Sequence, residues 1–143
     1  MLDWNAPNLW KSAYKVDFEM LLCFAENVFG EQFCILTDKI VKLDPETGQL
    51  KDVASSMEDW AELMVENPDF YIGYSLAHTW QLKYGALAIG QRLAPKKPFI
   101  LGGEFVVENL YAVDAVVGMR SRASISNQIK DVPEGAAITF DIK

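Results

Sequence analysis

Histidine occurs once in this chain and cysteine twice, and none of the three falls in a metal-binding or catalytic spacing. That scarcity removes whole classes of chemistry. A structural zinc site needs about four Cys or His ligands, and Cys23, Cys34 and His78 cannot supply them. The cysteines sit in "LLCFA" and "QFCIL", apolar settings that suit small buried residues rather than a disulfide framework. A lone histidine in "SLAHTW" reads as structural before it reads as a general base. No phosphate loop is present, because "LGGEF" and "AIGQR" lack both the glycine count and the lysine. No nucleophile elbow appears either. Long apolar runs are missing too: the longest, Met20 to Ala25, is far short of the roughly 20 residues that span a bilayer. Residues 1–15 have no basic start and no apolar h-region of a signal peptide. The expected location is the cytoplasm.

A basic footprint is also lacking. The net charge is −7, and it is unevenly placed. Residues 1–69 carry 14 acids and 5 bases, residues 70–143 carry 6 acids and 8 bases. Direct nucleic-acid binding is therefore disfavoured. Between Asp52 and Asp69 lie six acids and no base. Such a run either keeps a helix face solvated or steers a basic partner.

What is present is the composition of a globular domain. Half of the 143 residues are hydrophobic and 12% are aromatic, enough for one domain with a real core and too much for disorder. Residues 1–17 read as a loop or short helix that packs Trp4, Trp10 and Tyr14 onto the domain. A β-meander follows: 19–29 and 32–38 joined through Gly30, then 39–44, a "DPETG" turn and 49–54. Ser55 and Ser56 open a helix, each three residues before an acid, at capping-box spacing. Met57, Trp60, Ala61, Met64 and Val65 recur at helical spacing, leaving Glu58, Asp59, Glu62 and Glu66 off that stripe. After Asn67-Pro68-Asp69 a second helix is expected over 70–84, ended by Gly85. Residues 86–98 read as a long connection, 99–105 and 109–120 as strands, 121–131 as a short helix and 137–142 as a last strand. The whole predicts a single α+β domain over 1–143 with a mainly antiparallel sheet.

Three carboxylates stand in the apolar stretch "LGGEFVVENLYAVDAV". On a regular strand Glu104, Glu108 and Asp114 share parity, so the simplest account is one wet strand face. A partner surface, or a carboxylate or metal-dependent hydrolase site, are the alternatives. Gly102-Gly103 reads as a bulge or tight turn.

The ordered series "FGEQFCI" (29–35), "DPETGQL" (44–50), "SMEDWAELM" (56–64), "IGYSLAHTWQLKYG" (72–85) and the tail from Pro98 resembles the bacterial SUKH superfamily, cell-wall-assembly-regulator-like proteins. It is most similar to the domain forming the C-terminal part of immunity proteins against type VI secretion DNase effectors. The likeness runs from about residue 19 to the end. About 18 residues precede it, where those immunity proteins carry a further domain. The resemblance implies a curved antiparallel sheet flanked by helices and a cytosolic immunity protein that occludes a cognate toxin encoded by an adjacent gene. It brings no catalytic residues, no cofactor and no metal.

A non-enzymatic binding module is the expectation that follows. Its candidate partner-binding residues are Asp52, Glu58, Asp59, Glu62, Glu66 and Asp69, an acidic face suited to the basic substrate cleft of a nuclease toxin. A scaffold for an unrelated protein is the alternative, and a small hydrolase built on Glu104, Glu108 and Asp114 a more distant one.

Overall fold

The structure, a computed structural model, describes residues 3–130 and Val132. Four antiparallel strands form a meander: β1 (Leu22–Glu26), β2 (Gln32–Leu36), β3 (Lys39–Leu43) and β4 (Leu50–Ala54). Each link between them is short and carries its own turn chemistry. In the β1–β2 turn, Asn27 Oδ1 accepts the N–H groups of Phe29 and Glu31, and Gly30 takes φ +79°. A Cβ at Gly30 would lie 2.6 Å from Arg122 Nη2, so sterics and backbone both require glycine. The β3–β4 turn closes as the "DPETG" pattern predicts, with Gly48 N–H donating to Asp44 O at 2.8 Å.

Thr37-Asp38 joins β2 to β3, and Thr37 sits at φ +59°. A β-branched residue there is strained, and hairpin turns of this length favour glycine or asparagine. Thr37→Gly is expected to stabilise the domain by about 0.5–1 kcal/mol, the relief of strain outweighing the extra freedom of the unfolded chain. Urea denaturation measures it, and a lower midpoint contradicts the argument.

The middle of the meander, β2 and β3, is covered on both faces. On one face Cys23, Cys34, Val41 and Leu43 meet Trp10, Tyr14, Phe18 and Leu21 of the N-terminal segment, together with Met119 and Ala123. That segment contains a 3-10 turn at Lys11–Ala13, as the loop or short-helix reading anticipates. On the other face Phe24 and Phe33 stack edge-on against Trp60, at ring-centroid distances of 4.9 and 5.6 Å. Trp60 belongs to helix α1 (Met57–Glu66), which starts where predicted. Ser56 Oγ accepts from Asp59 N–H, and the Ser55 hydroxyl donates to the Asp59 carboxylate. Two covered faces explain why β2 lacks a polar/apolar alternation.

The rest departs from the sequence reading in detail. The expected helix over 70–84 is two helices, α2 (Pro68–Ile72) and α3 (Tyr74–Tyr84), split at Gly73 in the left-handed region, φ +76°. Gly85 ends α3 as expected. The supposed connection 86–98 contains strand β5 (Gln91–Pro95). Its partner is β6 (Leu110–Asp114), with Leu93 opposite Ala112. Residues 99–105 are not a strand: Phe99–Leu101 is a 3-10 turn, and Gly103 packs so tightly that a Cβ would lie 1.9 Å from Lys97 O. Phe99 and Phe105 then stack at 3.9 Å across the fold-back. Nor does the strand at 109 continue to 120. Helix α4 spans Ala115–Ile129 and takes in residues 121–129 of the predicted short helix. Its buried residues Ala115, Gly118, Met119, Arg122, Ala123 and Ser126 recur at helical spacing, and small side chains let it lie close against the sheet residues. The strand expected at 137–142 lies outside the described residues.

A second cluster, Phe29, Ala77, Trp80, Leu93, Val107 and Leu110, joins α3 to the β5–β6 pair. The architecture is thus α+β, a four-stranded antiparallel sheet and a two-stranded one flanked by helices. Among the described residues no helix is long and apolar enough to cross a membrane.

Candidate functional site

Helix α1 presents the acids expected of a partner-binding face, and the structure divides them by occupation. Asp52 lies on β4, exposed, and pairs with the half-buried Lys39 through Nζ at 2.9 Å. Asp59 is engaged by Ser55. Asp69, in α2, accepts the Ser75 N–H at 2.9 Å, and hydrogen bonding to Ser75 lowers its pKa. Its work is to hold the start of α3. Glu58, Glu62 and Glu66 are exposed, four residues apart along α1, and make no ion pair among the described residues. Asp59, Glu62 and Glu66 also line an open hollow of about 410 Å³ between α1 and the end of β4.

The apolar side of these helices is the larger surprise. The apolar stripe of α1 is buried only at Met64, with Trp60 partly covered, while Met57, Ala61 and Val65 are exposed. Helix α2 buries nothing. On α3 the inner residues are Ala77 and Trp80, and Tyr74, His78 and Leu82 form an outer row at spacing four. Val65 is 81% exposed, Phe70 69%, Tyr74 58% and Leu82 76%. The Tyr74 and His78 rings lie parallel, 5.9 Å apart. Acid position is legible from helical periodicity, whereas the exposure of these apolar residues is not. The signal that could have found them is that the apolar residues of "YSLAHTWQLKY" are scattered round the helix instead of gathered on one face. Apolar residues scattered in this way cannot all face one core.

A second constellation was not anticipated at all. Arg122, on α4, is 6% exposed. Its Nη1 donates to Phe29 O in the β1–β2 turn and its Nε to Gly118 O at 3.0 Å. Burial lowers its pKa, while the negative charge of Glu46 and Asp44 acts in the opposite sense. Glu46, 4% exposed, sits in the β3–β4 turn. Its two carboxylate oxygens accept the N–H groups of Phe99 and Ile100 at 3.1 and 2.8 Å. Burial raises the Glu46 pKa, tempered by those two hydrogen bonds. Beside them the Tyr14 hydroxyl donates to Pro45 O at 2.6 Å, and its pKa is raised by burial. Arg122 and Glu46 line the same two hollows, of about 270 and 280 Å³. Apart from the bond to Gly118 O, which lies within α4, each hydrogen bond joins one part of the fold to another, so the group works as a tie between α4, the meander, the N-terminal segment and the turn after β5.

The three carboxylates of 101–116 are not one strand face. Glu104 lies in the loop after the glycine pair, Glu108 in a 3-10 turn, and both are exposed on an open hollow with Lys97 and Asn109. Asp114 is elsewhere: it caps α4, accepting Val117 N–H at 2.9 Å. Strand parity does not relate the three, because within this stretch only Leu110–Asp114 forms a strand. Among the described residues no group of three or more His, Cys, Asp or Glu could hold a metal ion.

Fold and surface together define an α+β domain with an exposed, acid-edged helical face. No family model and no curated protein matches the chain. Among solved structures, the crystal structure of Atu4351 from Agrobacterium tumefaciens is similar, with a TM-score of 0.53 and 20% sequence identity. The match covers 82% of this chain and 63% of that one, so the chain spans less than two thirds of that protein's length. At this identity the likeness concerns the fold.

Proposed function

We propose that the chain is a cytoplasmic protein-recognition module that neutralises a cognate bacterial toxin, the role implied by its resemblance to the SUKH immunity proteins, and that it docks the toxin on α1–α3. One observation carries the reading: large apolar side chains stand exposed on three consecutive helices beside Glu58, Glu62 and Glu66. Exposed apolar patches mark interaction surfaces. The flanking carboxylates select a basic partner, such as a nuclease whose cleft is built for phosphate.

Capture of the adjacent gene's product, followed by co-expression rescue, tests this directly. The expected result is a stable complex and restored growth of cells making the toxin. A complex without rescue favours the scaffold alternative, and no complex removes the reading. Within a complex, replacing Glu58, Glu62 and Glu66 by lysine is expected to slow association by about tenfold at low salt and to flatten its salt dependence. Stopped-flow or surface-binding kinetics provide the check. An unchanged association rate excludes the acidic edge as a steering element.

A further inference from the structure

The two cysteines, eleven residues apart, are brought face to face. The β1–β2 register places Cys23 directly opposite Cys34, and their sulfurs are 2.9 Å apart. Both are thiols, both are buried, and both belong to the cluster beneath Trp10 and Tyr14. The backbone of Cys23 shows which kind of strand pair this is. Its N–H donates to Asn5 Oδ1 at 2.8 Å and its carbonyl accepts from Asn5 Nδ2 at 2.9 Å. Both groups therefore point away from β2, so Cys23 and Cys34 form a non-hydrogen-bonded pair. In such pairs the Cα atoms approach to about 4.5 Å, inside the range a disulfide bridges without backbone movement.

The same Asn5 contact defines a cover. Asn5 extends the edge of β1, Trp4 Nε1 donates to Gln32 Oε1 at 2.7 Å, and Lys11 Nζ donates to Leu21 O at 2.6 Å. Residues 3–14 thus lie over the sulfurs through polar ties at the meander's edge. The charge of Lys11 also favours a thiolate at Cys23. The hydrogen bond between the two sulfurs is the larger influence: it lowers the Cys23 pKa and raises that of Cys34.

We propose that Cys23 and Cys34 are a redox-active dithiol, closed to a cross-strand disulfide by a low-molecular-weight disulfide when the segment 3–14 lifts. Cys23 loses its proton and attacks one sulfur of the oxidant RSSR; that S–S bond breaks, a Cys23–SR bond forms and RS⁻ leaves, taking up the proton. Cys34 then loses its proton and attacks the Cys23 sulfur. The Cys23–Cys34 bond forms, the mixed disulfide breaks, and the second RS⁻ leaves as RSH. Two thiols are oxidised by two electrons and one RSSR is reduced to two RSH.

The native, full chain incubated in glutathione buffers of stepped ratio, then alkylated and weighed intact, tests the proposal. The expected product has lost the mass of two hydrogens and both alkylatable thiols, reversibly on adding dithiothreitol. Cys34→Ser is expected to stop at a glutathione adduct on Cys23. Asn5→Ala removes two ties of the cover and is expected to speed closure by about tenfold. Closure seen only in denaturant, or an Asn5→Ala rate equal to the parent's, overturns the proposal, the first on the dithiol and the second on its cover.

Discussion

Replacing Arg122 by alanine is expected to cost about 3–5 kcal/mol of folding stability, among the largest effects of any single change in this domain. Three losses coincide. Phe29 O and Gly118 O lose charge-assisted donors in a buried setting. Glu46 and Asp44 lose the cation whose field offsets their own. The space under the β1–β2 turn, where the guanidinium crowds Gly30, empties. Arg122→Met keeps most of the volume and separates the terms: about half the cost is expected to remain. A double-mutant cycle with Gly30→Ala adds a second reading. The Cβ clash with Nη2 disappears when the guanidinium is gone, but the positive φ of residue 30 stays strained. The two costs should therefore fall short of additive. Urea midpoints decide both, and a cost below about 1 kcal/mol for the alanine variant refutes the tie.

Glu46 gives that loss a pH signature. Its folded pKa lies above the unfolded value because burial disfavours the carboxylate. In that case the folded state binds more protons between the two values. Its contribution to stability is fully present below the unfolded pKa and is lost as pH rises through the folded one. Arg122 acts against this shift by favouring the charged form. Without the arginine the folded pKa climbs further and the loss at neutral pH deepens. The Arg122→Met deficit should therefore shrink as pH falls from 7 towards the unfolded carboxylate value near 4.3. A deficit constant with pH would separate Glu46 from the arginine.

How much of this was legible depended on whether a signal was local. The meander was readable because its turns are written in "DPETG", in Gly30 and in the short spacing of the strands. The start of α1 was readable from Ser56. Beyond Gly85 the sequence misled, for reasons that can be named. Val116 and Val117 favour a strand, yet α4 is selected by tertiary packing of Gly118, Met119, Arg122 and Ala123. Asp114 looked like a wet strand residue because a capping role depends on where the helix begins. Gly90 and Pro95 made β5 look like a connection, although proline is tolerated at a strand end. Arg122 and Glu46 carried no local signature at all. Their partners are backbone groups at Phe29, Phe99 and Ile100, distant in sequence, and nothing short of the tertiary fold places them there. The acids of α1 were positioned correctly by periodicity, but periodicity cannot say whether an apolar stripe faces the protein's own core or a partner.

That distinction sets up the largest expected effect on recognition. Tyr74 and Leu82 are more than half exposed, on the outer row of α3. Their replacement by serine should leave stability within about 0.5 kcal/mol, since little native contact is lost. Binding to the captured toxin should nonetheless weaken by about 10²-fold, because aromatic and aliphatic anchors buried at an interface dominate its affinity. The kinetic partition matters more than the size. Anchors act after encounter, so the loss belongs in dissociation, whereas lysine replacement of Glu58, Glu62 and Glu66 belongs in association. Two sets of substitutions on adjoining helices would then move opposite halves of one equilibrium constant. If the serine variants change neither rate, the exposed apolar row of α3 is not the docking face, and the acids on α1 would have to steer the partner onto another surface of the domain.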